Sequence, residues 1–379
     1  MRIATRAIHA GQHPEAITGA IMTPVFQTST YVQHGPGEHT GYEYSRTQNP
    51  TREALERNIA DLESASHAFA FASGCAAAAT VMHLFKAGDH IVCNDDVYGG
   101  THRLFTQVMA THGLEFTFVD LGDVNALEGA LRPNTKALWL ETPSNPLLKI
   151  IDLKALSTKA HAHELVVICD NTFATPILQR PLELGCDIVV HSTTKYMGGH
   201  SDVIGGAACT NNDTHAKRLG FLRNSLGNVP GPWDAWLVLR GMKTLPLRMK
   251  AHCENASRIA AYLVEHKRIE RVMYPGLKTH PGHAIAASQM SAFGGMITFI
   301  LEGGLPQAER FLKSVKIFAL AESLGGVESL IEHPALMTHA SIPAHIRAQL
   351  GINDGLIRIS VGIEDVNDLL EDLDQALSI

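Results

Sequence analysis

Two short stretches of the sequence carry side chains that suit covalent chemistry. Lys195 lies in the stretch STTKY, directly after an apolar run, and Asp170 ends another apolar run twenty-five residues earlier. A primary amine forms a covalent bond with an aldehyde, a carboxylate pairs with a cationic ring nitrogen, and hydroxyls bind phosphate. These groups together fit pyridoxal 5′-phosphate (PLP). A surface lysine and a helix-capping aspartate would show the same residues, so this alternative stays open.

A third stretch, Ser73-Gly74-Cys75, follows a predicted strand and opens a predicted helix. A small turn at a helix N-terminus presents free N–H groups and the positive end of the helix dipole, which suits a phosphate. A plain helix start explains these residues equally well. The sequence contains neither G-x-G-x-x-G nor G-x-x-x-x-G-K-[ST], which argues against a nicotinamide dehydrogenase and against a P-loop nucleotide site.

Alternating apolar runs and helical segments must position these groups. The predicted strands cover residues 67–72, 90–93, 116–120, 137–141, 166–170, 187–191 and 205–210, and helices are predicted over 75–86, 101–111 and 153–163. Such alternation predicts a mostly parallel sheet with helices on both faces. Functional groups in such sheets gather at the carboxyl ends of the strands, where Asp170 and Lys195 stand.

The remaining segments predict two further units. Residues 1–50 are rich in glycine and proline and predict an irregular arm, after which a helix begins with Thr51 as its N-cap. Beyond residue 245, helices over 247–265, 306–315 and 366–377 and strands over 296–301 and 356–360 predict a smaller α+β domain. The predicted boundaries are 1–46 for the arm, 47–245 for the large domain and 246–379 for the small domain.

Composition excludes several classes of protein. The 379 residues are 45% apolar, and 31 basic against 38 acidic residues give a net charge of −7, unlike a nucleic-acid binder. No apolar run approaches the roughly 20 residues of a membrane helix. The first residues lack the apolar core of a secretory signal, and the six cysteines form no C-x-x-C pair. We therefore expect a soluble cytoplasmic enzyme with reduced thiols that acts on a small molecule.

Longer motifs extend along the whole chain. They are YEYSRTQNPTR, DDVYGGTHRLF, ETPSNP, CDNTFATP, HSTTKYMGGHSD, LAESLGGVESL, MTHASIP and IRISVGIED. In this order, from about Thr5 to the C-terminus, they resemble the Cys/Met-metabolism family of PLP-dependent enzymes. That family holds the cystathionine γ-synthases, γ-lyases and β-lyases and methionine γ-lyase. The resemblance implies the α/β, aspartate-aminotransferase-like fold (PLP fold type I) and a homotetramer of two tight dimers.

The resemblance also implies cofactor contacts. Lys195 would hold PLP as a covalent Schiff base, and Asp170 would pair with the pyridinium nitrogen. Tyr98 would stack on the ring and is the second candidate, after Lys195, for proton transfer. Further contacts would come from Ser73, Gly74, Cys75, Thr172, Ser192 and Thr194, while Tyr44 and Arg46 would reach the phosphate of the neighbouring subunit. The irregular arm would then be ordered by the dimer.

Substrate contacts follow from the same motifs. Asn145 and Arg358 would clamp the α-carboxylate of an amino-acid substrate, beside Ser323. The distal ammonium of cystathionine would meet Glu43 and Glu322, and its distal carboxylate would meet Arg103. Glu322 matches the acidic residue of the γ-acting members, while Gly100 replaces the cysteine of methionine γ-lyases.

These positions favour γ-elimination of L-cystathionine to cysteine, 2-oxobutanoate and ammonia in trans-sulfuration. The alternative is a cystathionine γ-synthase, which replaces the acyl group of an O-acyl-L-homoserine with cysteine. A cystathionine β-lyase, a methionine γ-lyase and a non-enzymatic PLP-fold regulator fit less well. In the γ reactions Lys195 would move protons between two carbons.

Twenty-one histidines raise the question of a metal site. His161 and His163 stand two apart on a predicted helix and point to different faces, so no metal is predicted. His339 is expected to be a structural hydrogen-bonding residue. Two positions depart from the family pattern: Cys75 stands where Met or Leu is commoner, which predicts looser ring packing, and Gly199 stands where Asn is frequent, which predicts a less ordered loop.

Overall fold

The computed structural model describes residues 1–340 and 343–379, so Ser341 and Ile342 of the MTHASIP motif lie outside the described residues. Twelve strands are found in the described part, in two sheets. The large sheet contains β1 (His67–Phe71), β2 (His90–Asn94), β3 (Glu115–Val119), β4 (Thr135–Glu141), β5 (Val166–Asp170), β6 (Ile188–His191) and β7 (Gly206–Thr210). The small sheet contains β8 (Ile269–Met273), β9 (Met296–Leu301), β10 (Ala319–Leu320), β11 (Leu330–Glu332) and β12 (Leu356–Ser360).

The large sheet has the strand order β1-β7-β6-β5-β4-β2-β3. Strands β2 to β6 pair in parallel, whereas β7 pairs antiparallel with both β1 and β6. The prediction of a mostly parallel sheet is therefore confirmed, with one reversed strand. Because β4, β5 and β6 are parallel neighbours, their carboxyl ends meet at one edge of the sheet.

Fourteen α-helices are found in the described residues. They are α1 (Ile3–His9), α2 (Pro50–Leu62), α3 (Gly74–Met82), α4 (Gly99–Arg103), α5 (Ala126–Ala130), α6 (Leu153–His161), α7 (Thr175–Leu178), α8 (Asp213–Leu226), α9 (Pro232–Met242), α10 (Leu245–Glu265), α11 (His283–Gln289), α12 (Gly304–Ser314), α13 (Ala344–Leu350) and α14 (Val366–Leu377). A π-helical turn covers Leu104–Val108, and 3₁₀ turns cover Met109–His112 and Pro181–Leu184.

Apolar side chains cover the large sheet on both faces. One face packs Trp139, Ile168 and Val190 against α3, and the other packs Val189 against α2, α9 and α10. A separate core lies between the small sheet and the helices α10, α12 and α14. Burial of continuous apolar strands on both faces is what fixes a parallel sheet. Among residues 1–340 and 343–379, no helix has the length and apolar character needed to cross a membrane.

The predicted start of α2 was wrong by two residues. Asn49 is the N-cap, because its side chain accepts from the N–H groups of Thr51 and Arg52. Pro50 then takes the first helical position, where a missing N–H costs nothing. The Thr51 hydroxyl instead donates to the Pro24 carbonyl at 2.8 Å and so attaches the arm to α2.

The predictions of an irregular arm and of a single helix over 101–111 were also partly wrong. Helix α1 lies inside the arm and is held by Asn58, whose amide donates to the Ala7 and Ala10 carbonyls. The segment 99–112 is divided into α4, the π turn and a 3₁₀ turn. There the hydroxyls of Thr106 and Thr111 donate to the backbone carbonyls of His102 and Val108, a competition that disfavours a regular helix.

Candidate active site

A pocket of about 280 Å³ opens at the carboxyl ends of β4, β5 and β6, and a loop and strand of the small sheet close it. Its lining includes thirteen of the predicted site residues: Ser73, Gly74, Cys75, Tyr98, Asn145, Asp170, Thr172, Ser192, Thr194, Lys195, Glu322, Ser323 and Arg358. The folded chain thus brings these residues together, while their roles stay predictions. Ala78, Thr101, Glu141, Phe173, Ile204, Leu324 and Thr338 complete the lining.

Lys195 lies in the turn that follows β6, where the chain leaves the sheet edge. Its Nζ donates to the Ser323 Oγ at 2.8 Å. Burial, together with the positive charge of Arg358, lowers the pKa of Lys195 to about 8. An amine with this pKa exists in appreciable amount without its proton near neutral pH, which both covalent attachment and proton transfer require.

Asp170 is the last residue of β5 and is held by Thr172. Its Oδ1 accepts from the Thr172 N–H at 3.0 Å and from the Thr172 hydroxyl at 2.5 Å. The same hydroxyl accepts from the Ser192 N–H at 2.9 Å, so Thr172 links the end of β5 to the end of β6. Burial raises the pKa of Asp170, and the two contacts from Thr172 work against that rise.

Glu141 is a pocket residue that the sequence reasoning missed. It is the last residue of β4, stands opposite Asp170 in the sheet register, and is only 5% exposed. Its Oε2 accepts from the Tyr98 N–H at 3.0 Å. Burial and the neighbouring Asp170 hold the pKa of Glu141 well above its usual range. The signal was present in the ETPSNP motif, since an acid ends a predicted strand there.

The start of α3 forms a cradle lined by backbone. The Ser73 side chain caps the helix by accepting from the Ala76 N–H at 3.0 Å. A Cβ at Gly74 would lie 2.8 Å from the Ser192 Cβ, so only glycine lets the two strand ends approach this closely. The first N–H groups of a helix lack partners inside it and favour anions. The hydroxyls of Ser192 and Thr194 border the same pocket.

This donor set fits PLP. A buried carboxylate, an amine and an anion-favouring helix start with nearby hydroxyls correspond to the ring nitrogen, the aldehyde and the phosphate of that cofactor. Tyr98 borders the pocket with 37% of its surface exposed. A Cβ at Gly100 would lie 2.3 Å from the Tyr98 ring, so a larger residue at position 100 would displace the ring.

Arg358 lies in the middle of β12 and is almost fully buried. Its Nη1 donates to the Asn145 Oδ1 at 2.7 Å, and its Nη2 donates to the Ser323 carbonyl at 2.9 Å. The guanidinium therefore contacts Asn145, which is the other predicted partner of a substrate carboxylate, and also Ser323. The His339 imidazole contacts the Asn145 carbonyl at 3.1 Å, in line with its expected structural role.

Four predicted site residues do not line this pocket within the single chain: Glu43, Tyr44, Arg46 and Arg103. Glu43 pairs with His39 at 3.4 Å, and Arg46 donates to the Asn224 carbonyl at 2.6 Å and lies over the Tyr44 ring. Arg103 ends α4 near Cys75; burial raises the pKa of the Cys75 thiol, and the charge of Arg103 only partly opposes that rise. Contacts of the arm with a neighbouring subunit stay a prediction.

Two further expectations concern the histidines and Gly199. His161 contacts Asp187 and His163 contacts Glu128, and no cluster of three potential metal ligands occurs in the described chain.

The expectation that Gly199 gives a less ordered loop was wrong. It has a φ of +73°, and a Cβ there would lie 2.0 Å from the Arg248 guanidinium, which donates to the Tyr196 carbonyl. Only glycine fits both the backbone and the space.

Comparisons with known proteins agree with this geometry. The model of the family described as "Cys/Met metabolism PLP-dependent enzyme" matches residues 4–378. A cystathionine beta-lyase of Coxiella burnetii is 56% identical over 99% of this chain and 97% of its own length. A cystathionine gamma-lyase of Bacillus subtilis is 54% identical over 100% and 99%.

Solved structures show the same fold. The crystal structure of cystathionine gamma-lyase from Lactobacillus plantarum complexed with L-serine has a TM-score of 0.97 and 51% identity, and the match covers 100% of this chain and 99% of that one. The expected α/β, aspartate-aminotransferase-like fold is confirmed.

Proposed function

This chain belongs to the Cys/Met metabolism PLP-dependent enzyme family, and from that premise we propose that it is a cystathionine lyase that cleaves the bond between Cγ and sulfur. The observation that carries the proposal is the position of Glu322 in the same pocket as Lys195. An acid at the open side of the pocket suits the distal ammonium of cystathionine. Membership of the family makes the enzyme PLP-dependent, whereas cleavage at Cγ is our proposal.

The α-carboxylate of the substrate binds at Arg358 and Asn145. The Nη2 group of Arg358 and the amide nitrogen of Asn145 carry N–H groups beyond the contacts described above, and both residues line the pocket. Charge-assisted hydrogen bonds to a guanidinium are stronger than neutral ones and fix orientation. Lys195 lines the same pocket, so a substrate held there by its carboxylate shares the pocket with the amine.

PLP supplies, when bound, a ring that withdraws electrons and stabilises negative charge on the substrate carbons. Asp170 supports this by keeping a negative charge at the end of β5, where Thr172 donates two hydrogen bonds to it. Those contacts favour the ionised carboxylate, which burial disfavours. Lys195 is the residue that would carry the covalent attachment.

Lys195 also acts as the proton carrier. Cleavage at Cγ needs proton removal from Cα and then from Cβ, so one base must reach two neighbouring carbons. An amine on a four-carbon stem has that reach, and its pKa of about 8 lets it accept and release protons near neutral pH. The Ser323 hydroxyl, 2.8 Å from Nζ, holds the amine at the pocket wall between these transfers.

Glu322 and Arg103 act at the distal end of the substrate. Glu322 borders the pocket, and Arg103 lies outside its lining at the end of α4, near Cys75. We propose that they supply the negative and the positive charge that face the two charges of the distal group. An acylated homoserine has no distal ammonium and gains nothing from Glu322. This favours a lyase over a γ-synthase.

Cleavage at Cβ is the second candidate, because the Coxiella burnetii relative, 56% identical, is named a cystathionine beta-lyase. The two reactions give different products. Cleavage at Cγ releases cysteine, 2-oxobutanoate and ammonia, whereas cleavage at Cβ releases homocysteine, pyruvate and ammonia. Both reactions use a substrate with a distal ammonium, so our preference for the first rests on the resemblance of Glu322 to the acidic residue of the γ-acting members.

A substrate panel with product identification by mass tests the proposal. The holoenzyme should convert L-cystathionine mainly to 2-oxobutanoate, and Glu322→Gln should raise KM for cystathionine roughly tenfold by removing a charge-assisted contact. The exposed Glu302→Gln is the control and should leave KM unchanged. Pyruvate as the main product would contradict cleavage at Cγ and indicate cleavage at Cβ. Faster turnover of O-acyl-homoserine with cysteine would indicate a γ-synthase.

A further inference from the structure

A buried carboxylate lies directly behind the arginine of the pocket. Glu332 ends β11, and the sheet register places it opposite Arg358 on β12. One carboxylate oxygen lies 3.0 Å from the Arg358 Nη1, and the two side chains are 1% and 2% exposed. Glu332 does not line the pocket, so it reaches a substrate only through Arg358.

The contact between the two side chains is one-sided. A fork-to-fork pair would use both carboxylate oxygens and two guanidinium nitrogens. Here the Arg358 Nε and the Glu332 Oε2 are buried and have no hydrogen-bond partner in residues 1–340 and 343–379. Glu332 Oε1 instead accepts from the Thr338 hydroxyl at 2.7 Å. The carboxylate is thus held partly by Thr338 and partly by Arg358.

Arg358 keeps its position without depending on Glu332 alone. Its hydrogen bonds to the Asn145 side chain and to the Ser323 carbonyl fix the guanidinium from the pocket side. Glu332 therefore adds charge more than placement. A guanidinium that already faces one carboxylate attracts a second less strongly, since the two anions repel each other.

We infer that Glu332 acts through Arg358: its carboxylate competes with the substrate α-carboxylate for the guanidinium. It balances the charge of Arg358 while the pocket holds no carboxylate, and it weakens the hold on carboxylates once they enter. Weak binding helps the 2-oxo acid to leave after the reaction. This inference rests on the proposed function, in particular on Arg358 as the carboxylate site.

Neighbouring charges do not remove this effect. Burial raises the pKa of Glu332, while Arg358 and the Thr338 hydroxyl oppose that rise and favour the charged form. The other charged groups that act on Glu332 are Glu322 and Lys195. Lys195 is taken up by the cofactor in the holoenzyme, and Glu322 lies toward the open side of the pocket. Burial lowers the pKa of His339, the residue next to Thr338, to about 3, so its imidazole stays neutral.

The test compares two dead-end ligands on the holoenzyme. Propionate has a carboxylate and no amine, and propylamine has an amine and no carboxylate. Glu332→Gln keeps the shape and removes the charge, so it should bind propionate about tenfold more tightly and propylamine unchanged. KM for cystathionine and kcat should fall together, because the product leaves more slowly. Unchanged or weaker propionate binding overturns the inference.

Thr338→Val gives a change of opposite sign and settles the question if the Gln variant does not fold. Without the hydroxyl, Glu332 is free to pair more fully with Arg358, so propionate should bind about threefold more weakly. No change in propionate affinity would count against competition. Asp372→Asn is the matched control. It alters a buried carboxylate of α14, which accepts from the N–H groups of residues 316–318, and it should leave propionate binding unchanged.

Arg358→Gln separates this inference from the proposed function. If Arg358 is the carboxylate site, this variant loses propionate affinity by at least about tenfold. If Arg358→Gln has no effect, the proposed carboxylate site fails. If it has the effect and Glu332→Gln does not tighten binding, only the competition fails.

Discussion

The pocket and the N-terminal arm (residues 1–46) hold their polar side chains in opposite ways. In the pocket, Asp170, Lys195 and Arg358 each contact a neighbour within the chain at hydrogen-bond distance. In the arm, Tyr44 is 45% exposed, and Glu43 and Arg46 are exposed as well. The pocket is therefore organised by the folding of one chain, whereas these arm side chains lie at its surface, with Arg46 held by the Asn224 carbonyl.

This difference follows from position in the fold. Asp170 ends a buried strand, Lys195 lies in the turn after another, and Arg358 lies within β12, so the two sheets fix their positions. The arm lies over α2 and α9 and is attached at a few points, such as the Thr51 hydroxyl and the Trp236 indole, which donates to the Thr23 carbonyl. Substitutions in the pocket should change chemistry, and substitutions in the arm should change binding.

The largest effect is expected from Lys195→Ala. Loss of the attachment point and proton carrier should lower kcat at least about 10³-fold, while the melting temperature of the protein changes little. The release of 2-oxo acid measures kcat, and borohydride reduction followed by peptide mass locates the cofactor. Lys159→Ala, which removes a lysine 3.5 Å from Glu128 at the surface, is the control. Near-normal turnover of Lys195→Ala would contradict the assignment.

A second prediction uses pH and the cofactor-free protein. Burial lowers the pKa of Lys195 to about 8 in the folded chain, against 10.5 for a free lysine. Between these values the unfolded chain binds one more proton, so the free energy of unfolding should rise with pH, by up to about 3 kcal/mol. Urea titrations at about pH 7.5 and pH 10 measure it. Lys195→Met should lack this part of the rise, and identical pH slopes would refute it.

Arg46→Ala tests the arm. If Arg46 reaches the cofactor phosphate of a neighbouring subunit, its loss removes a charge-assisted hydrogen bond of roughly 1.5–3 kcal/mol and weakens cofactor affinity about 10- to 100-fold. Equilibrium dialysis against free cofactor measures the affinity. Arg6→Ala removes another arm arginine, which pairs with Asp61, and should leave the affinity as it is. Equal affinities for both variants would show that the arm does not serve the cofactor.

The smallest effect is expected from Glu43→Gln. Its partner His39 is partly exposed, and a surface pair of this kind contributes little, so the free energy of unfolding should change by less than about 0.5 kcal/mol. KM for cystathionine should rise roughly threefold if the arm covers the pocket of a neighbour. A stability loss above 1 kcal/mol, about the upper limit for such pairs, would mean that the arm is held within its own chain after all.

The elements of the large domain were predictable to a large extent. Strands β4 to β6 each contain an apolar run, and β5 matches the predicted range 166–170. The break in the helix at 101–111 was not predictable, because threonine hydroxyls decide it through local hydrogen bonds. Asn49 was missed as the N-cap because threonine is also a common N-cap residue. In the folded chain the Thr51 hydroxyl donates to the Pro24 carbonyl instead, a contact that the local sequence does not reveal.

The residues of the candidate site were likewise predictable only in part. Thirteen of the residues named from sequence motifs meet in one pocket, since most of these motifs follow a strand of the large sheet. Glu141 and Glu332 were missed. Glu141 had a local signal, since it ends a predicted strand as Asp170 does. Glu332 had none, because it acts only through Arg358 on the adjacent strand, and sheet register is not written in local sequence.

The amino-acid sequence alone determined which chemistry is available: an amine, an acid and a glycine-containing helix start at the ends of apolar strands, with the family motifs in order. Tertiary structure decided how these groups behave. Burial changes the pKa values of Lys195, Asp170 and Glu141, and the pairing of β11 with β12 sets a carboxylate behind Arg358. Desolvation and charge proximity depend on contacts between distant parts of the chain, and only folding supplies those contacts.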